Sequence, residues 1–529
     1  MMCLRAIGWY CLLALPLLAA PGTAVFKTEN LHIEAHLNHG TLYHGYTAHR
    51  FTIHHSGTGK RTIKFTLPSF SNNNHHTLKA VTRTFIITPG TRDVTILQPP
   101  LPFSWADYVS VECNGHEREI ERGLSRRLEG IRNTGWQQPR VVLLSRQVDY
   151  VELNNALGAV SMPSHFHGGT TGRDHAELEY SAEETSAWPE KWLAYSGYDM
   201  IVLSGKDWQL ANSATRTALH RWVSAGGKLV VLGEGYRAHT SWPMDPAGAI
   251  QYMGFGQVYL FTSESDQSRD AIVTLLGTHD PDSNQNTIPM LGPLRRATER
   301  IHNDELWYGS QDADFNSAFP VIGGARAPVR LVIGVLTLFV LVAGPINLFM
   351  LNRKGRRAWF LWTLPAISLV TSGLVFVVSF FSEGITPRVR TEAVTILNQT
   401  EQDAVTLGTI GFYAPIAPSQ LKFSGHSEVT PLLDPNARRD AGSDRRGQWT
   451  EGGEQLLTGK WVSSRVPTHF SIRTSEHTEK RIVVTWTGGR PEILNSLGTA
   501  IKQLTLRGTS NDFFTATDIL PGEKVTLRP

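Results

Sequence analysis

Two long apolar runs separated by a short basic turn constrain this chain more than any other feature. Residues 331–351 contain no ionisable side chain, and residues 358–381 form a second such run. Each is long enough to cross a hydrocarbon layer about 30 Å thick as a helix. Between them lies Asn352-Arg353-Lys354-Gly355-Arg356-Arg357. A tight loop holding Arg353, Lys354, Arg356 and Arg357 stays on the cytoplasmic side during insertion. The pattern predicts a first transmembrane helix over 329–351, a cytoplasmic loop over 352–357 and a second helix over 358–381, with both flanks outside. Transport paths need polar or charged groups at membrane depth, and here the candidates are Pro345, Asn347, Pro365 and a few hydroxyls. Pro345, after Gly344, predicts a kink. The hairpin reads as an anchor, or alternatively as a packing surface for a membrane partner.

The N-terminus has the pattern of an export signal over residues 1–24. Arg5 precedes an apolar stretch over 6–20, and Thr23 and Ala24 are small enough for cleavage near Ala24. An uncleaved signal anchor is the alternative, and both place the following chain across the membrane. The expected location is therefore the bacterial inner membrane, with N- and C-terminal domains in the periplasm. Of three cysteines, Cys3 and Cys11 fall in the signal and Cys113 beyond it. One thiol cannot make an internal disulfide, so stability must come from core size. The lack of a Cys-x-x-Cys pair excludes a thiolate zinc site and a redox dithiol. A net charge of +3 argues against a nucleic-acid surface. A length of 529 residues with 41% hydrophobic content suits three or four packed units, at about 150 residues each.

Periodicity assigns the exported parts. Residues 46–54, 61–67, 78–87, 93–97 and 108–113 alternate apolar and polar positions, with turn-forming clusters between several of them. They predict a β-sandwich over 25–136, of immunoglobulin-like type or less regular. Residues 137–320 change character. Short apolar runs at 141–144, 200–203, 228–232 and 257–262 suit buried parallel strands. Helices are expected over about 147–157 and over 213–225, the latter capped by Ser213 and stopped by Gly226-Gly227. Alternating strands and helices imply a parallel sheet. Residues 386–529 are again β-rich, with strands at 411–416, 468–474, 481–487, 501–507 and 524–528 and a polar loop over 434–448.

The segments Tyr198-Asp199-Met200-Ile201-Val202-Leu203 and Ala218-Leu219-His220-Arg221-Trp222-Val223-Ser224-Ala225-Gly226-Gly227-Lys228-Leu229-Val230-Val231-Leu232-Gly233 resemble class I glutamine amidotransferase-like domains. The motifs Gly344-Pro345-Ile346-Asn347-Leu348 and Trp362-Thr363-Leu364-Pro365 are similar to the hairpin of bacterial membrane proteins carrying such a domain in the periplasm. In that group the C-terminal β-domain often closes with a segment like Ile519-Leu520-Pro521-Gly522-Glu523. The resemblance implies a flavodoxin-like fold for the α/β domain. It also implies proximity to MoxR-type AAA ATPases and von Willebrand A-domain proteins, hence a protein partner in the envelope.

Glutaminase chemistry needs a cysteine on a strained strand-to-helix turn, activated by histidine. The turn after 228–232 carries Gly233-Glu234-Gly235, and residues 137–320 contain no cysteine. Glu234 is then either structural or an acid in a degenerate site. Ser204, Lys206 and Glu234 follow strand C-termini, where doubly wound sheets bind ligands. They form a candidate crevice, with ordinary loop polarity as the alternative. His165, His167 and Asp174 are a candidate metal set, since His-x-His in extended chain puts both rings on one side. Exposed histidine pairing is the competing explanation, in a chain with 20 histidines. No P-loop, GxSxG, HExxH or dinucleotide motif occurs, so no cofactor is implied. The expected function is a non-catalytic periplasmic interaction protein; the alternative is a metal- or carboxylate-dependent hydrolase of an envelope substrate.

Overall fold

Alternating inward residues give the first strands their faces. The computed structural model describes residues 23–28, 30–36, 45–68, 78–99, 108–113, 116–121, 141–159, 177–181, 183–262, isolated positions between 268 and 275, 319–321, 329–383, 386–432, 444–508 and 511–529. The N-terminal strands are β1 (Thr23–Thr28), β2 (Leu31–Ala35), β3 (Thr47–His55), β4 (Arg61–Pro68), β5 (Ala80–Ile87), β6 (Gly90–Gln98), β7 (Tyr108–Cys113) and β8 (His116–Glu121). One sheet runs β1-β2-β3-β6, and a second contains β5-β4-β7-β8. Phe51 of β3 meets Phe65 of β4 at 4.8 Å between ring centroids, and Phe65 meets Phe85 at 5.8 Å. All expected strands of this region are present. The expected cleavage point near Ala24 falls inside β1, which pairs with β2 from Thr23 onward.

The central sheet runs β10 (Glu177–Tyr180), β9 (Val141–Leu144), β11 (Met200–Ser204), β12 (Lys228–Leu232), β14 (Gly256–Phe261) and β13 (Ile250–Met253). Every pair is parallel except the edge pair β13–β14. Helices α1 (Tyr150–Ala159), α2 (Gly205–Leu210) and α3 (Ser213–Ser224) accompany it. The continuous apolar runs divide by parity. Leu143, Ile201, Leu203, Leu229 and Val231 join Leu219, Trp222 and Val223 of α3 in one core. Val142, Leu144, Met200, Val202 and Val230 join Leu153 of α1 in another. Both faces of the sheet are thus covered, as parallel strands require. The cap of α3 is Asn212 rather than Ser213: its side chain accepts from the Thr215 N–H at 2.7 Å. Gly227 follows because a Cβ there would lie 2.4 Å from Trp222.

The hairpin comprises α4 (Val329–Leu341), a π-turn over Val342–Ile346, α5 (Asn347–Arg353) and α6 (Phe360–Glu383). At Pro345, where a kink is expected, the helix takes up a π-turn, whose wider winding accommodates the missing N–H. Two segments are long and apolar enough to cross a membrane, Ile333–Arg353 and Arg357–Val377, with mean hydropathies of 2.2 and 1.9. Only 6% and 0% of those windows are buried within the protein, unlike the core helices of a soluble domain. Asn347 Nδ2 donates to Thr363 Oγ1 at 2.8 Å, joining the two spans. Arg353, Lys354, Arg356 and Arg357 are exposed at the turn.

The C-terminal strands are β15 (Arg388–Asn398), β16 (Asp403–Tyr413), β17 (Gln420–Phe423), β18 (Ser427–Leu432), β19 (Arg446–Trp449), β20 (Gln455–Thr458), β21 (Thr468–His477), β22 (Arg481–Thr487), β23 (Arg490–Ser496), β24 (Ile501–Arg507), β25 (Phe513–Ile519) and β26 (Lys524–Thr526). Here the sequence reading needs correcting. The expected polar loop over 434–448 ends in a strand, β19, which pairs in parallel with β5. A seven-stranded sheet β17-β20-β19-β5-β4-β7-β8 therefore spans the N- and C-terminal regions, which are not separate domains. The four-residue β19 has no period of its own to detect; its partner lies far away in sequence. The closing segment wraps Asn495, whose Nδ2 donates to Leu520 O at 3.1 Å while its carbonyl accepts from Gly522 N–H at 2.8 Å.

The three regions meet at Tyr46, which is fully buried. Its N–H donates to Ser196 Oγ of the central region at 2.8 Å. Its hydroxyl donates to Gln455 Oε1 at 2.7 Å and accepts from Val429 N–H at 3.2 Å. Gly45 beside it has φ +65°, and a Cβ there would lie 2.2 Å from the Ser196 carbonyl. Residues 319–321 close the body where the hairpin leaves it: Arg390 stacks 4.5 Å over Phe319 and donates to Pro320 O at 2.9 Å. Tyr46→Phe removes the hydroxyl that Gln455 Oε1 and the Val429 N–H bond to. It should destabilise the protein by about 1–3 kcal/mol, with hydrogen exchange at the Val429 amide accelerating before exchange in the central sheet.

Candidate functional site

At the C-terminal ends of the central strands, where the sequence predicts a crevice, sits a buried carboxylate. Asp207 of α2 is 2% exposed. Its Oδ2 accepts from Ser145 Oγ at 2.6 Å, from Ser204 Oγ at 2.9 Å and from the Gln147 N–H at 3.2 Å. Its own N–H donates to Ser204 Oγ at 3.0 Å, so Ser204 caps α2. The ends of β9 and β11 are thereby tied to one side chain. Sequence reasoning did not single out Asp207; the cap pattern Ser204-x-x-Asp207 was the available signal.

The turn after β12 packs against this cap backbone to backbone. A Cβ on Gly205 would stand 2.0 Å from the Glu234 carbonyl oxygen. Gly235 has φ +132°, and a Cβ there would lie 2.6 Å from Gln209 Nε2 and 2.7 Å from Gly205 O. Ser204, Lys206 and Glu234 are thus carried on adjoining turns. Ser204 is committed to Asp207, while Lys206 and Glu234 are exposed. The space between the two turns is filled by main chain. His165, His167 and Asp174 lie outside the described residues. Among the described residues, no group of three or more His, Cys, Asp or Glu side chains is arranged to hold a metal ion.

A second cluster lies beyond Gly235. The His220 ring sits 4.7 Å from that of His239, 5.1 Å from Trp208 and 6.1 Å from Tyr236. The fully buried Gln251 organises it: Oε1 accepts from Tyr236 Oη at 3.1 Å and from the His239 N–H at 3.2 Å, and Nε2 donates to His239 O at 2.7 Å. The tip joining β15 to β16 closes the outside. Glu401 lies 3.6 Å from His239 Nδ1 and accepts from Ser241 Oγ at 3.0 Å, and Asp403 pairs with Arg221 at 3.4 Å. Among the described residues, His220 Nε2 is buried without a hydrogen-bond partner. Burial, then the charges of His239 and Arg216, push the His220 pKa down from 6.5 to about 3. Burial likewise pushes the Tyr236 phenol above its usual range. The cluster reads as a neutral packing element where α3 meets the C-terminal region.

No family model matches the chain, and no curated protein matches it. One solved structure, a β-glucosidase from Kluyveromyces marxianus in complex with glucose, aligns at 8% identity with a TM-score of 0.10. That alignment covers 93% of this chain, which spans 46% of the glucosidase chain. Likeness at this level carries no argument about fold or activity.

Asp207→Ala removes the acceptor of three hydrogen bonds and leaves buried donors unpaired. A loss of about 2–4 kcal/mol is expected, read as a lower denaturation midpoint. For His220, the unfolded chain takes up a proton near pH 6.5 that the folded protein accepts only near pH 3. The folded state is therefore fully favoured above that window and loses stability as pH falls through it, by at most about 1.4 kcal/mol per pH unit. His220→Phe should flatten the fall in thermal midpoint between about pH 7 and about pH 4; an unchanged slope would assign the acid sensitivity to other groups.

Proposed function

We propose that this chain is an inner-membrane-anchored periplasmic interaction protein whose α/β domain is a catalytically degenerate glutamine amidotransferase-like module of flavodoxin-like fold. One observation carries the reading. The turn where such enzymes hold their nucleophile carries an exposed Glu234, and its main chain packs directly on Gly205. The parallel sheet with apolar residues on both faces supports the fold assignment.

The joining of N- and C-terminal strands in one sheet supports a hairpin that leaves and returns on the same side. The basic turn supports placing that side in the periplasm. The partner is then an envelope protein, within a system of the MoxR-type ATPase and von Willebrand A-domain kind.

Reporter insertion tests orientation. A reporter active only in the cytoplasm should work at Gly355 and fail after Pro529; the reverse pattern would overturn the periplasmic assignment. Full-length protein in detergent should release no ammonia from glutamine or from simple amides. Ammonia release that vanishes in Glu234→Gln would replace the interaction reading with an enzymatic one.

A further inference from the structure

Strand β2 carries His32 and Glu34 two positions apart. Leu31 and Ile33 are buried, so strand alternation turns both polar residues outward. On β3, Phe51, Ile53 and His55 are buried, which turns Thr52 and His54 to the same outer face. Register sets His32 directly opposite His54 across this antiparallel pair. Their ring centroids lie 6.0 Å apart, with an angle of 26° between the planes. Thr91 of β6 is the next residue in the row.

Each ring is steadied through one nitrogen and keeps the other. Glu34 Oε1 accepts from His32 Nε2 at 2.9 Å, which leaves the lone pair of a neutral ring on Nδ1. Among the described residues, that Nδ1 is buried and has no hydrogen-bond partner. His54 uses Nδ1 to bond Thr91 Oγ1 at 2.9 Å, leaving Nε2 for a further bond. A carboxylate or hydroxyl on one ring nitrogen is the outer support that a metal-bound imidazole ordinarily has. We propose that His32 and His54 form a two-histidine site for a divalent transition-metal ion on the outer face of the N-terminal sheet. An ion about 2.0–2.1 Å from one nitrogen of each ring, in tetrahedral arrangement, sets the ring centroids about 5 Å apart, so the rings need close by only about 1 Å. Imidazole ligands favour copper, nickel or zinc over the hard ions magnesium and calcium. The pair supplies two protein ligands, fewer than a closed structural site, and water completes the shell. Lys27 faces His32 from β1 and is exposed, while Glu34 and Asp93 on the same face offset its charge. The two rings meet only when β2 pairs with β3, so the ion binds the folded sheet and stabilises it.

The test uses full-length protein in uncharged detergent, stripped of metal with a chelator and titrated with copper(II). Calorimetry should show one more copper bound by the parent than by His54→Ala or His32→Ala, and copper should raise the parent's thermal midpoint more than theirs. Electron paramagnetic resonance of the parent should show copper coupled to two ring nitrogens. Glu34→Gln keeps both ligands and should weaken binding by about tenfold, with nickel and zinc binding less tightly than copper throughout. Equal copper stoichiometry in the parent and a folded His54→Ala, judged by its midpoint in chelator, would overturn the site. A parent spectrum without coupling to two nitrogens would overturn it whether or not the variants fold, and magnesium binding as tightly as copper would overturn its assignment to a transition metal.

Discussion

Everything outside the apolar hairpin depends on a junction centred on Tyr46. One buried phenol satisfies a backbone donor on β18 and a glutamine on β20, while its own N–H is satisfied by Ser196. Burying a hydroxyl without partners would cost several kcal/mol, so this side chain fits only when all three regions are in place. Other contacts cross the same seam. Trp449 donates to Leu97 O at 2.7 Å, Arg473 donates to Ser196 O at 3.2 Å, and Arg50 pairs with Glu183. The junction is polar and fully specified in direction, which selects one arrangement of the regions.

That junction changes what the hairpin is. In a chain of independent domains, two spans would merely separate one domain from the next. Here the strands on either side of the spans share a sheet, and the clasp of Arg390 on Phe319 closes the body around the point where the hairpin leaves. The spans are a loop inserted into a single folded body. The Asn347–Thr363 hydrogen bond joins the two helices of that loop.

In the central sheet the strand ends serve packing. Strand C-termini in doubly wound sheets present free backbone groups and side chains to a crevice. In this protein Asp207 collects those groups, and glycines 205 and 235 let two turns meet without side chains between them. The neighbouring aromatic and histidine cluster continues the same packing toward the C-terminal strands, with Glu401 at its outer edge.

Much was legible in the sequence because it is written in local periods. The two apolar helices, the irregular turn at Pro345, the buried strands Val141–Leu144 and Lys228–Leu232, and helix α3 with its glycine stop follow from hydrophobicity and turn chemistry along a single segment. Ser204, Lys206 and Glu234 were readable as neighbours, because strand ends in a parallel sheet lie together. Their surroundings were not. The capture of Ser204 by Asp207 and the backbone contact that fills the space beside Glu234 depend on distances between turns separated by a strand and a helix. Strand β19 was read as loop because four polar-flanked residues have no period, and only pairing with β5 makes them a strand. Local chemistry determined the elements and the two apolar helices long enough to cross a membrane, because each needs only its own residues. Tertiary structure alone decided that the chain's two ends form one body, because that requires partners the polypeptide brings together only on folding.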